Sequence, residues 1–181
     1  RRQDWFGCAC CPSNIARLIS SIDQYIYTTT NATILSHQFI ANQATFDQGI
    51  EIKQTNNFPW ENTIHYDITN PQHISKKLGI RIPGWSATTF TLKVNGQPQT
   101  LLVKNGFIYL SITESLTIDL TLDFHIHELQ ANDAVAEDAG KVALQRGPLV
   151  YCIEQADNPQ NLWHYQLLSD DQTTYRFQPD L

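Results

Sequence analysis

The sequence contains no methionine among its 181 residues. It also lacks any apolar run near the ~18 residues that a membrane-spanning helix requires, so no membrane partner is expected. No charged, apolar and small-residue leader pattern opens it. Basic residues are few: 12 Lys and Arg stand against 18 Asp and Glu, for a formal net charge of -6. A nucleic-acid surface needs clustered Lys and Arg, so nucleic acid is not an expected partner either. Cysteine is scarce, with four residues, and three of them (Cys8, Cys10 and Cys11) crowd together while Cys152 stands alone. A disulfide between the adjacent Cys10 and Cys11 would be strained. Crowded thiols of this kind suit a metal or nucleophile site in a reducing compartment better than a disulfide framework, which gives a cytoplasmic expectation. The absent methionine, the opening Arg1-Arg2-Gln3 and the strand-like Tyr175-Arg176-Phe177 just before Leu181 together read as a piece of a longer protein.

What is present suffices for a core. Hydrophobic residues make up 41% of the chain, aromatic residues included. Between Pro12 and Ile22 the apolar positions Ile15, Leu18, Ile19 and Ile22 fall at i, i+3, i+4 and i+7, which predicts one amphipathic helix. Pro12 suits its first turn, where a missing N–H costs nothing. Beyond Asp23 the period changes to two. A strand is expected at Tyr25 and Tyr27, with a turn over Thr28-Thr29-Thr30-Asn31. Further alternating sets are Ile64, Tyr66, Ile68; Leu78, Ile80, Ile82; Phe90, Leu92, Val94; and Leu116, Ile118, Leu120, Leu122, Phe124. Asn95-Gly96, Asn105-Gly106 and Pro83-Gly84 punctuate them as turns. Val142 to Leu144 and Leu149 to Ile153 read as two more strands around Arg146-Gly147-Pro148. Many short strands with one apolar face each predict a mainly β fold, an antiparallel, jelly-roll-like β-sandwich preceded by one helix.

Chemistry concentrates in Trp5-Phe6-Gly7-Cys8-Ala9-Cys10-Cys11-Pro12-Ser13-Asn14. A thiolate is both a soft metal ligand and a strong nucleophile. These thiols precede or open a helix, whose free N–H groups favour a negative sulfur. Zinc would hold adjacent cysteines deprotonated and complete a tetrahedral site with two other ligands. Buried cysteines are nonetheless common and inert. Spacing alone does not separate the two readings, since zinc ribbons use two separated Cys-x-x-Cys pairs and this chain has none.

Other residues offer weaker candidates. His125 and His127 lie two apart on an expected strand and share a face, either as part of a metal site or as an ordinary polar edge. Trp60, Trp85 and Trp163 could stack on sugars or fill a core. Glu51, Glu61 and Glu114 could supply paired carboxylates, but nothing in the sequence brings two of them together. Arg146 is expected to pair with an acid at a domain junction, and Cys152 to be buried and inert.

The cysteine segment, with Asn14, Ala16, Arg17 and Leu18, resembles glycoside hydrolase family 127, the β-L-arabinofuranosidases formerly grouped as a domain of unknown function. Tyr25-Ile26-Tyr27, Phe58-Pro59-Trp60 and Leu78-Gly79-Ile80-Arg81-Ile82-Pro83-Gly84-Trp85 are similar to the family's segments in the same order. So is Gly140-Lys141-Val142-Ala143-Leu144-Gln145-Arg146-Gly147-Pro148-Leu149-Val150-Tyr151-Cys152. Where the family tends to carry a Trp and a Gly-Asp step, this chain has Ile112-Thr113-Glu114-Ser115-Leu116, a departure confined to a sandwich turn.

The resemblance implies residues 1–24 as the end of an α-helical barrel catalytic domain followed by β-sandwich domains. The alternation sets 25–154 as a β-sandwich. The polar stretch beyond Glu154, broken by Asn158-Pro159, reads 155–181 as the start of a further β segment or a tail packed on the first domain. The resemblance implies Cys10 as the nucleophile and Cys10 and Cys11 as zinc ligands, and it gives Cys8 no role. The remaining zinc ligands and the general acid would come from upstream of this chain. The implied reaction is hydrolysis of β-L-arabinofuranosides or related sugars with retention, through a glycosyl–cysteine intermediate. The substrate of the longer protein would then be a carbohydrate, with this piece inactive alone and zinc absent from it or weakly held. The alternative is a non-catalytic β-sandwich that buttresses a neighbour or binds carbohydrate. Without a barrel to cover it, the apolar face of helix 12–22 is expected to drive self-association or leave the helix disordered.

Overall fold

The structure is a computed structural model. It describes residues 7, 9–168 and 173–178. The chain divides into two compact units, one of Cys8–Asp123 and one of Phe124–Leu181 with Arg1–Gly7.

The first unit begins with helix α1 (Cys10–Ile19). Ten strands follow: β1 (Tyr27–Thr29), β2 (Thr33–Ser36), β3 (Asn42–Thr45), β4 (Glu51–Asn56), β5 (Thr63–Thr69), β6 (Lys76–Arg81), β7 (Thr91–Val94), β8 (Gln97–Gln99), β9 (Phe107–Ile112) and β10 (Leu116–Thr121). They form a four-stranded sheet, ordered β1-β2-β6-β9, and a six-stranded sheet, ordered β3-β4-β5-β10-β7-β8. The mainly β, antiparallel sandwich after one helix is as the alternation predicts. One pair departs from it: β2 and β6 run parallel. Parallel neighbours need a long crossover, and here the chain between them builds β3, β4 and β5 of the other sheet before returning.

Period two explains the core. Ile34, Leu78, Ile80, Ile108 and Ile112 of one sheet and Ile52, Ile64, Ile68, Ile118 and Leu120 of the other are almost wholly buried. At about 25 cal/mol per Å² of apolar surface removed from water, each such side chain stabilises the fold by ~1.5–3 kcal/mol relative to exposure. Asn95 (φ 49°) and Gly96 (φ 75°) form the two-residue turn joining β7 to β8, both in the left-handed region that such turns require. Asn105 and Gly106 do the same ahead of β9. Gly79 faces away from the core, between Leu35 on β2 and Tyr109 on β9. A Cβ there would stand 2.5 Å from Leu35 Cδ2 and 3.0 Å from the Tyr109 ring, so both side chains close over the bare backbone.

The expected helix of 12–22 is displaced. It starts at Cys10 and stops at Ile19, and Ile22 belongs to a separate 3-10 turn, Ile22–Tyr25. The two serines end it. Ser20 Oγ donates to Arg17 O at 2.9 Å, and Ser21 Oγ donates to the same carbonyl at 3.0 Å, competing with continued helical pairing. Tyr25 accordingly precedes the first strand instead of opening it.

In the second unit β11 (Ile126–Gln130), β12 (Val142–Arg146) and β13 (Leu149–Tyr151) form an antiparallel three-stranded sheet in that order. Gly147 and Pro148 make the two-residue turn between β12 and β13. Gly147 has φ 56°, and a Cβ on it would lie 2.5 Å from the Phe124 ring. The Arg146 guanidinium stacks at 3.7 Å from the Tyr175 ring centroid and 4.8 Å from that of Phe124. This stacking is a cation–π contact that the sequence reading did not include.

Gly147→Ala should destabilise the chain by roughly 2–3 kcal/mol, from left-handed strain and overpacking together, as read by urea denaturation. A pH series tests the core. Burial pushes the Tyr66 hydroxyl above the ordinary tyrosine range, against a smaller opposing effect of its bond to Ser36. Below pH ~10 the group is neutral in folded and unfolded chains and contributes no pH dependence. Above that the unfolded chain loses this proton first, so stability should fall by about 1.4 kcal/mol per pH unit from this group. Tyr66→Phe should remove that slope; an unchanged alkaline slope would contradict the buried, neutral assignment.

Candidate active site

Cys10 and Cys11 open α1, and Pro12 follows within its first turn. Both cysteines are exposed and lie outside any disulfide. Their sulfurs stand 3.8 Å apart. Consecutive helical side chains normally diverge, so this approach depends on the helix start. Ala9 offers no side-chain cap, and no acidic residue occupies the first turn. The exposed N–H groups there are thus left to favour negative charge, including a thiolate.

The backbone under Cys10 is held in place. Ser13 Oγ donates to Cys10 O at 3.0 Å and Asn14 Nδ2 donates to it at 2.9 Å. Arg17 Nη1 in turn donates to Asn14 Oδ1 at 3.1 Å. This Arg17–Asn14–Cys10 relay gives the polar residues of the opening motif a physical role that sequence reading left unassigned. The signal was available: Asn14 and Arg17 lie four and seven residues after Cys10, on one helical face.

The pair fits a zinc ion as far as two ligands can. Tetrahedral angles and Zn–S bonds of about 2.3 Å place two sulfurs about 3.8 Å apart, the separation found here. Among the described residues no cluster of three or more His, Cys, Asp or Glu completes a metal site. Trp5, Phe6 and Cys8 of the same motif lie outside the described residues.

His125 and His127 are exposed, at and just before β11 in the second unit, and take part in no such cluster. Trp60 is partly exposed and Trp85 half-buried. Trp163 is 77% exposed and carries the Lys141 ammonium 5.0 Å above its ring. Glu61 accepts from Asn57 Nδ2 at 3.3 Å, while Glu51 lies on β4 and Glu114 in the turn before β10. Cys152 is exposed, not buried as expected. It falls one residue past β13, where neighbouring Tyr151 and Ile153 also face solvent.

Residues 33–126 match the sequence profile of the β-L-arabinofuranosidase, GH127 middle domain, and residues 126–179 that of the glycoside hydrolase family 127 C-terminal domain. The chain belongs to glycoside hydrolase family 127. The two family-127 profiles meet close to the division between the structural units, and α1 with its cysteines precedes both.

Among curated proteins, the chain is 48% identical to a non-reducing end β-L-arabinofuranosidase of Bifidobacterium longum subsp. longum, over 99% of its own length and 29% of the relative's. Among solved structures it is similar to a GH127 β-L-arabinofuranosidase from Geobacillus stearothermophilus T6. That likeness has TM-score 0.79 and 38% identity, and covers 89% of this chain and 26% of that one. A second GH127 β-arabinofuranosidase gives TM-score 0.77 and 31% identity, with coverage of 88% and 28%. The chain therefore spans less than a third of the relatives it matches. No helix among the described residues is long and apolar enough to cross a membrane.

Proposed function

We propose that this chain is part of a retaining glycosidase acting on β-L-arabinofuranosides or related sugars, with Cys10 as nucleophile and Cys10 and Cys11 as zinc ligands. One observation carries the reading: two thiols 3.8 Å apart at a helix N-terminus, in a chain 48% identical to a β-L-arabinofuranosidase. Zinc held by both sulfurs and by two ligands from the rest of the protein would keep the thiols ionised at neutral pH.

The steps assigned to this chain are few. The Cys10 sulfur attacks the anomeric carbon, and a C–S bond forms as the glycosidic C–O bond breaks. The departing oxygen takes a proton from a general acid outside this chain. Water then attacks the same carbon from the opposite face, giving a proton to the group outside this chain that had served as acid, and sulfur leaves with the bonding pair as thiolate. Two inversions give net retention. The Arg17–Asn14 relay orients Cys10 through its carbonyl. Without the acid and the other ligands, this chain alone is inactive and holds zinc weakly. Crowded cysteines outside any disulfide support a reducing compartment, the cytoplasm, for the longer protein.

In the longer protein, Cys10→Ser and Cys11→Ser are each expected to lower zinc content and to cut turnover of an aryl β-L-arabinofuranoside by at least about a thousandfold. Near-normal activity in both variants would reduce the pair to a structural role and sink the proposed mechanism.

A further proposal concerns the isolated chain. Ile15, Leu18 and Ile19 on one face of α1 are 57%, 51% and 66% exposed. We propose self-association through this face. Light scattering should find oligomers at high protein concentration, converted to monomers by Ile15→Glu with Ile19→Glu. A monomeric parent chain under the same conditions would contradict it.

A further inference from the structure

The sequence holds two Asn-Gly steps, and both form exposed turns: Asn95-Gly96 between β7 and β8, and Asn105-Gly106 ahead of β9. Asparagine before glycine is chemically vulnerable. Glycine has no Cβ to hinder its own backbone nitrogen from attacking the neighbouring carboxamide and closing a succinimide ring. In both turns the Asn is left-handed, with φ 49° at Asn95 and 53° at Asn105. In that region ψ is about +30 to +60°, which points the following nitrogen away from the residue's own side chain. Ring closure therefore requires rotation about the Cα–C bond, and the turn must open. What holds each turn shut decides which of the two converts.

The two are held differently. Thr117 N donates to Asn95 Oδ1 at 2.8 Å, and Asn95 N donates to Thr117 O at 2.9 Å. Both bonds run to β10, an interior strand of the sheet that pairs with β7. They are independent of the edge strand β8, and the first of them pins the carboxamide itself. Asn105 has no such lock: among the described residues its carboxamide makes no hydrogen bond. Its turn is closed by the Lys104–Phe107 pair, with N–H to O bonds of 2.8 and 3.1 Å, and by Ile82 N donating to Gly106 O at 2.8 Å.

We infer that Asn105 is a site of spontaneous deamidation, and that Asn95, in the same dipeptide and backbone region, is protected by its bonds to Thr117. The Gly106 nitrogen, losing its proton to hydroxide, attacks Asn105 Cγ. A C–N bond forms, the Cγ–Nδ2 bond breaks, and ammonia leaves with a proton taken from water. Water then adds to either imide carbonyl and opens the ring there, giving aspartate or isoaspartate. Isoaspartate routes the main chain through the side-chain carbon and so lengthens a tight turn. Either product places a carboxylate beside the exposed Lys104.

Each hydrogen bond lost changes an opening equilibrium roughly twofold to tenfold. The folded chain held at mildly alkaline pH should then convert Asn105 at least about threefold faster than Asn95. Trypsin cuts after Lys93 and Lys104 and so puts the two asparagines on separate peptides, where mass spectrometry reads the amide-to-acid change at each. In urea the bonds to Thr117 are gone, and the two rates should come together. Equal rates in the folded chain, faster loss at Asn95, or a ratio that urea leaves unchanged overturns the inference. So does a folded chain in which Asn105 converts no faster than asparagines not followed by glycine.

Discussion

Burial of two apolar sheet faces against each other is the constraint on which the first unit depends. The inner face of β6 and β9 presents Leu78, Ile80, Ile108 and Ile112, and that of β5 and β10 presents Ile64, Ile68, Ile118 and Leu120. Because side chains alternate, a slip of one residue in any of these strands would turn its whole apolar set outward. The turns then need only deliver strands in register, which the Asn-Gly pairs at 95–96 and 105–106 do with left-handed backbone at both positions. The parallel β2–β6 contact follows from the same demand. It is the closure that lets a chain which has crossed to build β3, β4 and β5 return and complete the first sheet.

The cysteine helix stands in a different relation to that core. None of its residues is buried. It is tied to the sandwich through the segment behind it, where Ile26 is buried and its carbonyl accepts from His37 N at 2.8 Å. The sandwich therefore sets where the helix ends and leaves its apolar face uncovered. Within the helix, order comes from local bonds: serines close the last turn, and the Arg17–Asn14 relay holds the first.

The strands of the sandwich that were legible in the sequence are those with a large apolar residue at every second position. β5, β6, β7 and β10 announce themselves through Ile, Leu and Val, with Tyr66 between the isoleucines of β5. β3 and β4 were hidden because their core row carries Asn42 and Gln54, so that β3, Asn-Gln-Ala-Thr, has no large apolar residue and β4 contributes only Ile52. β9 was hidden for the opposite reason. Phe107, Ile108, Tyr109 and Leu110 are apolar on both faces, since Tyr109 closes over Gly79 on the outside, and no alternation survives. The cysteine pair was legible from its crowding and its place before a helix. The relay beneath it was legible only as spacing: Asn14 and Arg17 stand four and seven residues after Cys10, and the helix puts their side chains in line with its carbonyl. The stacking of Arg146 was hidden for a related reason: a guanidinium stacks on aromatic rings as well as pairing with acids, and Tyr175 lies nearly thirty positions away in sequence.

Two adjacent thiols at a helix start pose a specific chemical problem. Side by side they repel once ionised, and each would raise the cost of ionising the other. The helix N-terminus relieves part of that cost, but its effect at an exposed site is worth only about 0.3–1 kcal/mol. That is too little to ionise even one ordinary thiol, whose pKa lies near 8.5, to completion at neutral pH. A divalent cation between the sulfurs removes the conflict, because it makes the second charge favourable instead of adverse. The 3.8 Å separation allows that arrangement without moving the backbone. In the mechanism proposed, Cys10 is the sulfur that attacks carbon, and Cys11 would help hold a zinc ion that keeps the thiols ionised. The chain's own contribution is then the rigid spacing of the pair, set by Cys10's anchored carbonyl, and the remaining charge balance falls to ligands that this unit does not supply.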